Sequence, residues 1–196
     1  MATKRLPAEQ RKKMIMRAAV SEFSKSNYRL AKVPEIARNA GVTEPIVYRY
    51  FNSKKNLFLE TLTVIGEKTI ERLENSVEGF AGSTSEKIQL LMTNYLASME
   101  TYRKELKIYY QAISEFDDPE TKEVLDTTYR QYACFIATIV EGGKQKGEIN
   151  PLVDSQEFAW NLVGVLIHLS TFYLLGFYKK ASSERLIQQH LQELIQ

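Results

Sequence analysis

The chain has 196 residues, 44% of them hydrophobic, which suits one or two compact domains with a sizeable core and excludes a disordered tail. Its formal charge of +2 hides two opposed regions: residues 1–60 hold 13 Lys and Arg against 5 Asp and Glu, a net +8, and the remainder holds 13 against 19, a net −6. The single cysteine, Cys134, excludes an intrachain disulfide and a cysteine-based metal site and suits a reducing cytoplasm.

The N-terminal stretch MATKRLPAEQRKK lacks the apolar run of a signal peptide, so a cytoplasmic protein is expected. Lys4 and Arg5 read as a disordered terminus or as a flexible arm near DNA. From Pro34 to Ala40 the sequence PEIARNA predicts one short helix, with proline at the first helical position and Ile36, Ala37 and Ala40 at helical spacing. Gly41 can take positive φ and so suits the position just past that helix. Thr43 is placed to cap a second short helix from about Glu44 to Phe51, with Pro45 in its first turn. On it Val47 and Phe51 share one face, while Pro45, Ile46, Tyr48 and Arg49 spread over the other, a side poorly equipped for plain solvation. Ser53 can cap a third helix. That helix starts with Lys54 and Lys55 at an end where positive charge is unfavourable, and such cations call for an anion.

Helix, glycine turn, helix is the pattern of a helix-turn-helix, whose second helix enters the DNA major groove. A helical hairpin in an ordinary core has the same pattern. The net +8 at this end favours the DNA reading, because a basic end on an acidic body is what phosphate binding asks of a soluble protein.

Beyond residue 52 only helices are predicted. One runs from Lys54 to near Glu78, ended by GFAGSTS. Ser83 and Glu86 form a capping box for the next, with Ile88, Leu91, Tyr95 and Met99 as its apolar stripe. Others cover Glu105 to Ser114, Pro119 (after Asp118) to about Lys146, Ser155 to about Leu175, and Ser182 or Ser183 to Ile195. From Phe158 to Tyr178 no charge occurs, a run long enough to span a bilayer. Asn161, His168, Ser170 and Thr171 within it count against an anchor and suit a helix with one face on the core and the other on a partner subunit, but hydropathy alone leaves the anchor open. His168 and His190 have no ligand-spaced partner, and no phosphate loop or nucleophile elbow occurs, so no metal, cofactor or catalytic residue is expected.

Residues 11–62 closely resemble the N-terminal domain of the tetracycline-repressor (TetR) family of bacterial regulators. The match runs from Met14, Ile15, Ala18, Ala19 and Phe23 through Tyr28, Ile36, Ala37, Gly41 and Val42 to Tyr48, Tyr50, Phe51, Lys54 and Leu57. The resemblance implies an all-α protein. A three-helix DNA-binding domain (residues 1–52) would be joined by a long helix to a helical ligand-binding and dimerisation domain (53–196), with the last two helices forming the homodimer. It also implies a palindromic double-stranded operator and release by a small molecule. Only on the strength of this resemblance is no membrane contact expected. Two positions depart from the family. Asn27 replaces a glycine after the first helix but can take the left-handed conformation. Lys32 and Val33 replace a capping hydroxyl, leaving a phosphate contact to the charge of Lys32.

The DNA-binding residues expected on these grounds are Lys32, Thr43, Glu44, Pro45, Ile46, Tyr48, Arg49, Tyr50 and Lys54. Lys54 is assigned to phosphate, Arg49 to guanine and Ile46 to a thymine methyl. By the same resemblance Tyr95, Met99, Tyr109, Tyr110, Tyr132, Phe135, Trp160, His168 and Phe172 lie on the helices around the family's pocket. Their aromatic bodies and polar tips suit an apolar, aromatic or amphipathic effector. A regulator without an effector, a membrane-tethered DNA-binding protein and a helical enzyme are the competing readings.

Overall fold

The computed structural model describes residues 7–178 together with Arg185 and Gln189. The arm residues Lys4 and Arg5 and the helix expected over 182–195 lie outside the described residues, except for Arg185 and Gln189. Among the described residues the chain is all-helical: α1 (Ala8–Leu30), α2 (Val33–Asn39), α3 (Glu44–Phe51), α4 (Lys54–Val77), α5 (Thr84–Ser98), α6 (Arg103–Ile113), α7 (Pro119–Gln145) and α8 (Ser155–Leu174).

Packing divides the chain into two compact units that do not follow chain order. One holds 1–65 with 104–125, the other 66–103 with 126–196. This is a different partition from a cut at 52/53.

In the first unit Ile15, Ala18, Ala19 and Phe23 recur at helical spacing on α1 and are buried, as are Ile36 and Ala37 of α2 and Val47 and Phe51 of α3. The turn after α2 needs glycine. Gly41 has φ 63°, its N–H donates to the Arg38 carbonyl (3.1 Å), and the Val42 N–H reaches back to Ala37 (3.0 Å), closing the helix end. Thr43 occupies the cap position of α3 with extended backbone, but its hydroxyl makes no capping hydrogen bond. At α4 the expected cap is present: Ser53 Oγ accepts from the Asn56 N–H at 3.0 Å.

Asn27 departs from expectation in detail. Its φ is positive (60°), but ψ is 169°, beyond the left-handed helical well and in territory populated almost only by glycine. The compensation is its own side chain, whose Oδ1 accepts the Leu30 N–H at 3.0 Å and caps the last turn of α1. Asn27→Ala keeps the strained backbone and loses the cap. A loss of about 1 kcal/mol is expected, whereas Asn27→Gly relieves strain as it loses the cap and should lie closer to neutral. Urea midpoints of the two variants test the order.

The second unit is built on a cluster including Leu91, Met92, Met99, Ile136, Val140, Leu162 and Leu166. The capping box of Ser83 and Glu86 forms as expected. The α5 start is closed from a distance as well, since Glu148 accepts from the Thr84 N–H (2.8 Å) and hydroxyl (2.6 Å). The chains approach closely there: a Cβ on Gly143 would stand 2.6 Å from Ile149 and 2.7 Å from Thr84. Asp154 caps α8 by accepting from the N–H groups of Gln156 and Glu157.

Candidate nucleic-acid interface

The two short helices α2 and α3 form a hairpin about Gly41, and α3 is held to its unit through Val47 and Phe51. Its opposite side is open. Thr43, Pro45, Tyr48 and Arg49 are exposed, and Glu44, Ile46 and Tyr50 are half-buried. Lys32, in the cap position of α2, is exposed too. A short helix thus shows solvent a proline, an isoleucine, two tyrosines and an arginine, with its free N–H groups and the Thr43 hydroxyl at the leading end.

Ion pairing narrows which cations face solvent unpaired. Lys12 pairs with Glu60, Arg38 with Glu35, Arg29 with Glu115, and Lys55 with Asp118 and Glu120. Arg49 and Lys32 make no salt bridge among the described residues. The Arg49 guanidinium lies 5.7 Å from the Tyr50 ring centroid.

The adjacent lysines at the start of α4 both find partners within the chain, carbonyls for Lys54 and carboxylates for Lys55. Lys54 Nζ donates to the carbonyls of Arg29 (3.0 Å) and Ala31 (3.1 Å), sitting on the negative end of α1, and lies 5.1 Å from the Tyr28 ring centroid. An ammonium has three donors, so one remains for a phosphate. Lys55 is held by Asp118 at 2.7 Å and by Glu120, which raise its pKa. Lys55, and then the Thr121 N–H, hold the Asp118 carboxyl down at about 2, so this pair stays charged until pH falls well below the ordinary carboxylate range. Neither the carbonyl partners of Lys54 nor the acidic partners of Lys55 could be found from spacing, because they lie 23 to 65 residues away.

The expected effector residues fall into both units. Tyr109 and Tyr110 belong to the first, where the Tyr109 hydroxyl donates to the Leu62 carbonyl (3.2 Å). In the second, Met99 is buried and Tyr95, Tyr132 and Phe135 pack half-buried against the core, with the Tyr95 hydroxyl 2.8 Å from Ser170 Oγ. Trp160, His168 and Phe172 stand on the exposed side of α8. An open groove of about 590 Å³ on this unit is lined by Cys134, Thr138, Glu141, Lys144, Leu152 and Asp154 among others, and by none of the nine. Among the described residues no helix is long and apolar enough to cross a membrane, and no group of three or more His, Cys, Asp or Glu could hold a metal.

A glycine-turned helical hairpin on a basic unit, with a tyrosine- and arginine-bearing second helix facing outward, defines a helix-turn-helix DNA-binding protein. Residues 15–61 match the model for bacterial regulatory proteins of the tetR family, so the DNA-binding end of the chain is of that type. It is 28% identical to the HTH-type transcriptional regulator YdgC of Bacillus subtilis (strain 168), over 88% of this chain and 85% of the relative. The fold is shared with a TetR-like transcriptional regulator from Rhodococcus sp. (TM-score 0.73, 21% identity, 96% of this chain and 97% of that one). It is shared also with the regulator FadR from Bacillus subtilis in complex with stearoyl-CoA (TM-score 0.78, 20% identity, 93% and 97%). The protein is a DNA-binding transcriptional regulator.

Proposed function

We propose that this regulator is a cytoplasmic repressor that binds a palindromic operator as a homodimer and is released by an amphipathic small molecule with a long apolar part. The observation that carries the DNA half is the split of α3, with Val47 and Phe51 anchored and Tyr48 and Arg49 presented outward. In this reading Arg49 takes a guanine, Ile46 a thymine methyl, Tyr48 a phosphate or base edge, and Lys32, Thr43 and the third N–H of Lys54 take phosphates. Glu44 favours the helix start or accepts from cytosine, and Pro45 and Tyr50 complete the contact face.

The dimer reading rests on α8. Trp160, Gly164, His168 and Phe172 recur every four residues on its exposed side, with Asn161 beside them and with Trp160 42% and Phe172 40% exposed. Such a stripe suits a partner helix better than water. We assign these aromatics to the subunit contact and narrow the effector set to Tyr95, Met99, Tyr132 and Phe135, with Tyr109 and Tyr110 as further candidates. Two hairpins must then meet adjacent major grooves roughly 34–36 Å apart. The amphipathic effector is supported by the polar tips around an apolar core and by the stearoyl-CoA held in the FadR structure.

Release follows if the effector prefers a state in which that spacing is lost, and it can shift the balance only by its differential affinity. Coupling of about 1 to 3 kcal/mol would weaken operator binding roughly 5- to 150-fold, and the operator must weaken the effector equally. Calorimetry of a long-chain acyl-CoA and its free acid, each titrated with and without a selected operator, tests the pair. Equal affinities in the two titrations would remove these compounds as effectors, and a monomer by light scattering would remove the dimer.

A further inference from the structure

The reading hairpin spans residues 32–53; besides the packing of Val47 and Phe51, its attitude depends on the two places where the chain enters and leaves it, Ala31 and Lys54. Both junctions are gripped from one distant segment, 104–125, which packs in the same unit as residues 1–65. On the α1 side, Gln111 Nε2 of α6 donates to the Phe23 carbonyl at 3.0 Å. Just past α6, the Glu115 carboxylate accepts a two-pronged contact from Arg29, Nε at 2.7 Å and Nη2 at 2.8 Å. Phe23 and Arg29 bracket the kink at Asn27, so α1 is fixed on both sides of its strained joint. On the α4 side, Lys55 is held by Asp118 and Glu120, and Asp118 is itself fixed because its other oxygen caps α7 at the Thr121 N–H (3.0 Å). Lys54 then ties the two junctions together through the Arg29 and Ala31 carbonyls.

Isolated surface ion pairs contribute little, but a bidentate Arg–carboxylate contact and a linked set with shared members are the exceptions. We propose that Glu115, Asp118 and Glu120 are positioning residues for DNA recognition: they touch no DNA, and they set the attitude of the hairpin by clamping both of its chain ends. The proposal rests on the DNA-reading role of α3 and predicts an effect opposite to simple electrostatics. Removing carboxylates makes the basic unit more positive, which alone would tighten DNA binding. Loss of the clamp weakens it.

The test uses the full-length protein and a selected operator in anisotropy titrations from 50 to 200 mM salt. Glu115→Gln with Asp118→Asn is expected to weaken operator binding about 2- to 30-fold, with base preference and salt slope unchanged, since no phosphate contact is lost. Glu115→Arg is expected to weaken it further, and Arg29→Glu in that background to restore it by rebuilding the pair with reversed charge. If the double variant does not fold by circular dichroism, Glu115→Gln alone carries the same expectation. Unchanged or tighter binding by folded variants, a changed salt slope, or no restoration by the swap would overturn the clamp. If the parent itself selects no operator, the DNA-reading role fails first, and the clamp with it.

Discussion

Phe58→Ala is expected to destabilise the DNA-reading unit by about 3–5 kcal/mol, the largest effect of any single change considered, and to remove operator binding with it. Phe58 is 1% exposed and sits at the centre of three rings: its centroid lies 4.4 Å from Tyr28 in a stacked pair and 5.3 Å from Phe23 in an edge-on pair. Truncation leaves a void that the neighbouring helices cannot fully close and removes both ring contacts. It also strips the support beneath Tyr28, the ring under the Lys54 ammonium. Against a total of roughly 5–15 kcal/mol, a loss of this size takes much of the margin. Thermal unfolding followed by circular dichroism measures it, and Phe58→Leu should recover most of the loss. A midpoint for Phe58→Ala within a degree of the parent would contradict the packing described.

The second large effect is expected at Arg49 and Lys54, where two substitutions should fail differently. Arg49 is exposed and outside any ion pair among the described residues, so Arg49→Ala should leave stability alone. It should cost about 1–3 kcal/mol at a single base pair of each half-site, relaxing preference there. Lys54→Ala should weaken binding to all sequences and reduce the salt slope by about one for the lost phosphate. Because the same ammonium caps α1 through two carbonyls, Lys54→Ala should also lower stability, which Arg49→Ala should not. An unaltered salt slope for Lys54→Ala would mean that this lysine serves α1 alone.

Local chemistry was legible in the sequence wherever it is written in neighbouring residues. Gly41, Ser53, the Ser83–Glu86 pair and Pro119 each mark a helix boundary within a few residues of where it occurs, because capping depends on groups one turn apart. The face of α3 was legible too, since only Val47 and Phe51 share its buried side. On α8 the same reasoning had nothing to work with. A helix that is apolar all round carries no periodic signal of which side meets its own core, so Trp160, His168 and Phe172 could not be told from Leu162 and Leu166. The partners of Arg29 and Lys55 were hidden for another reason: they come from residues 115–120, and no local rule links segments so far apart.

The partition of the chain has a consequence for its synthesis. Residues 1–65 leave the ribosome well before the residues that complete their packing, for Gln111, Glu115 and Asp118 follow only after the whole of 66–103. Translation of the intervening and completing stretch, 66–125, takes on the order of 3 to 12 s at about 5–20 residues per second. During that interval α1, with its strained asparagine, and the first turn of α4 lack their outside supports. The nascent DNA-reading end must wait, partly assembled and strongly basic, for a later part of the same chain to finish it.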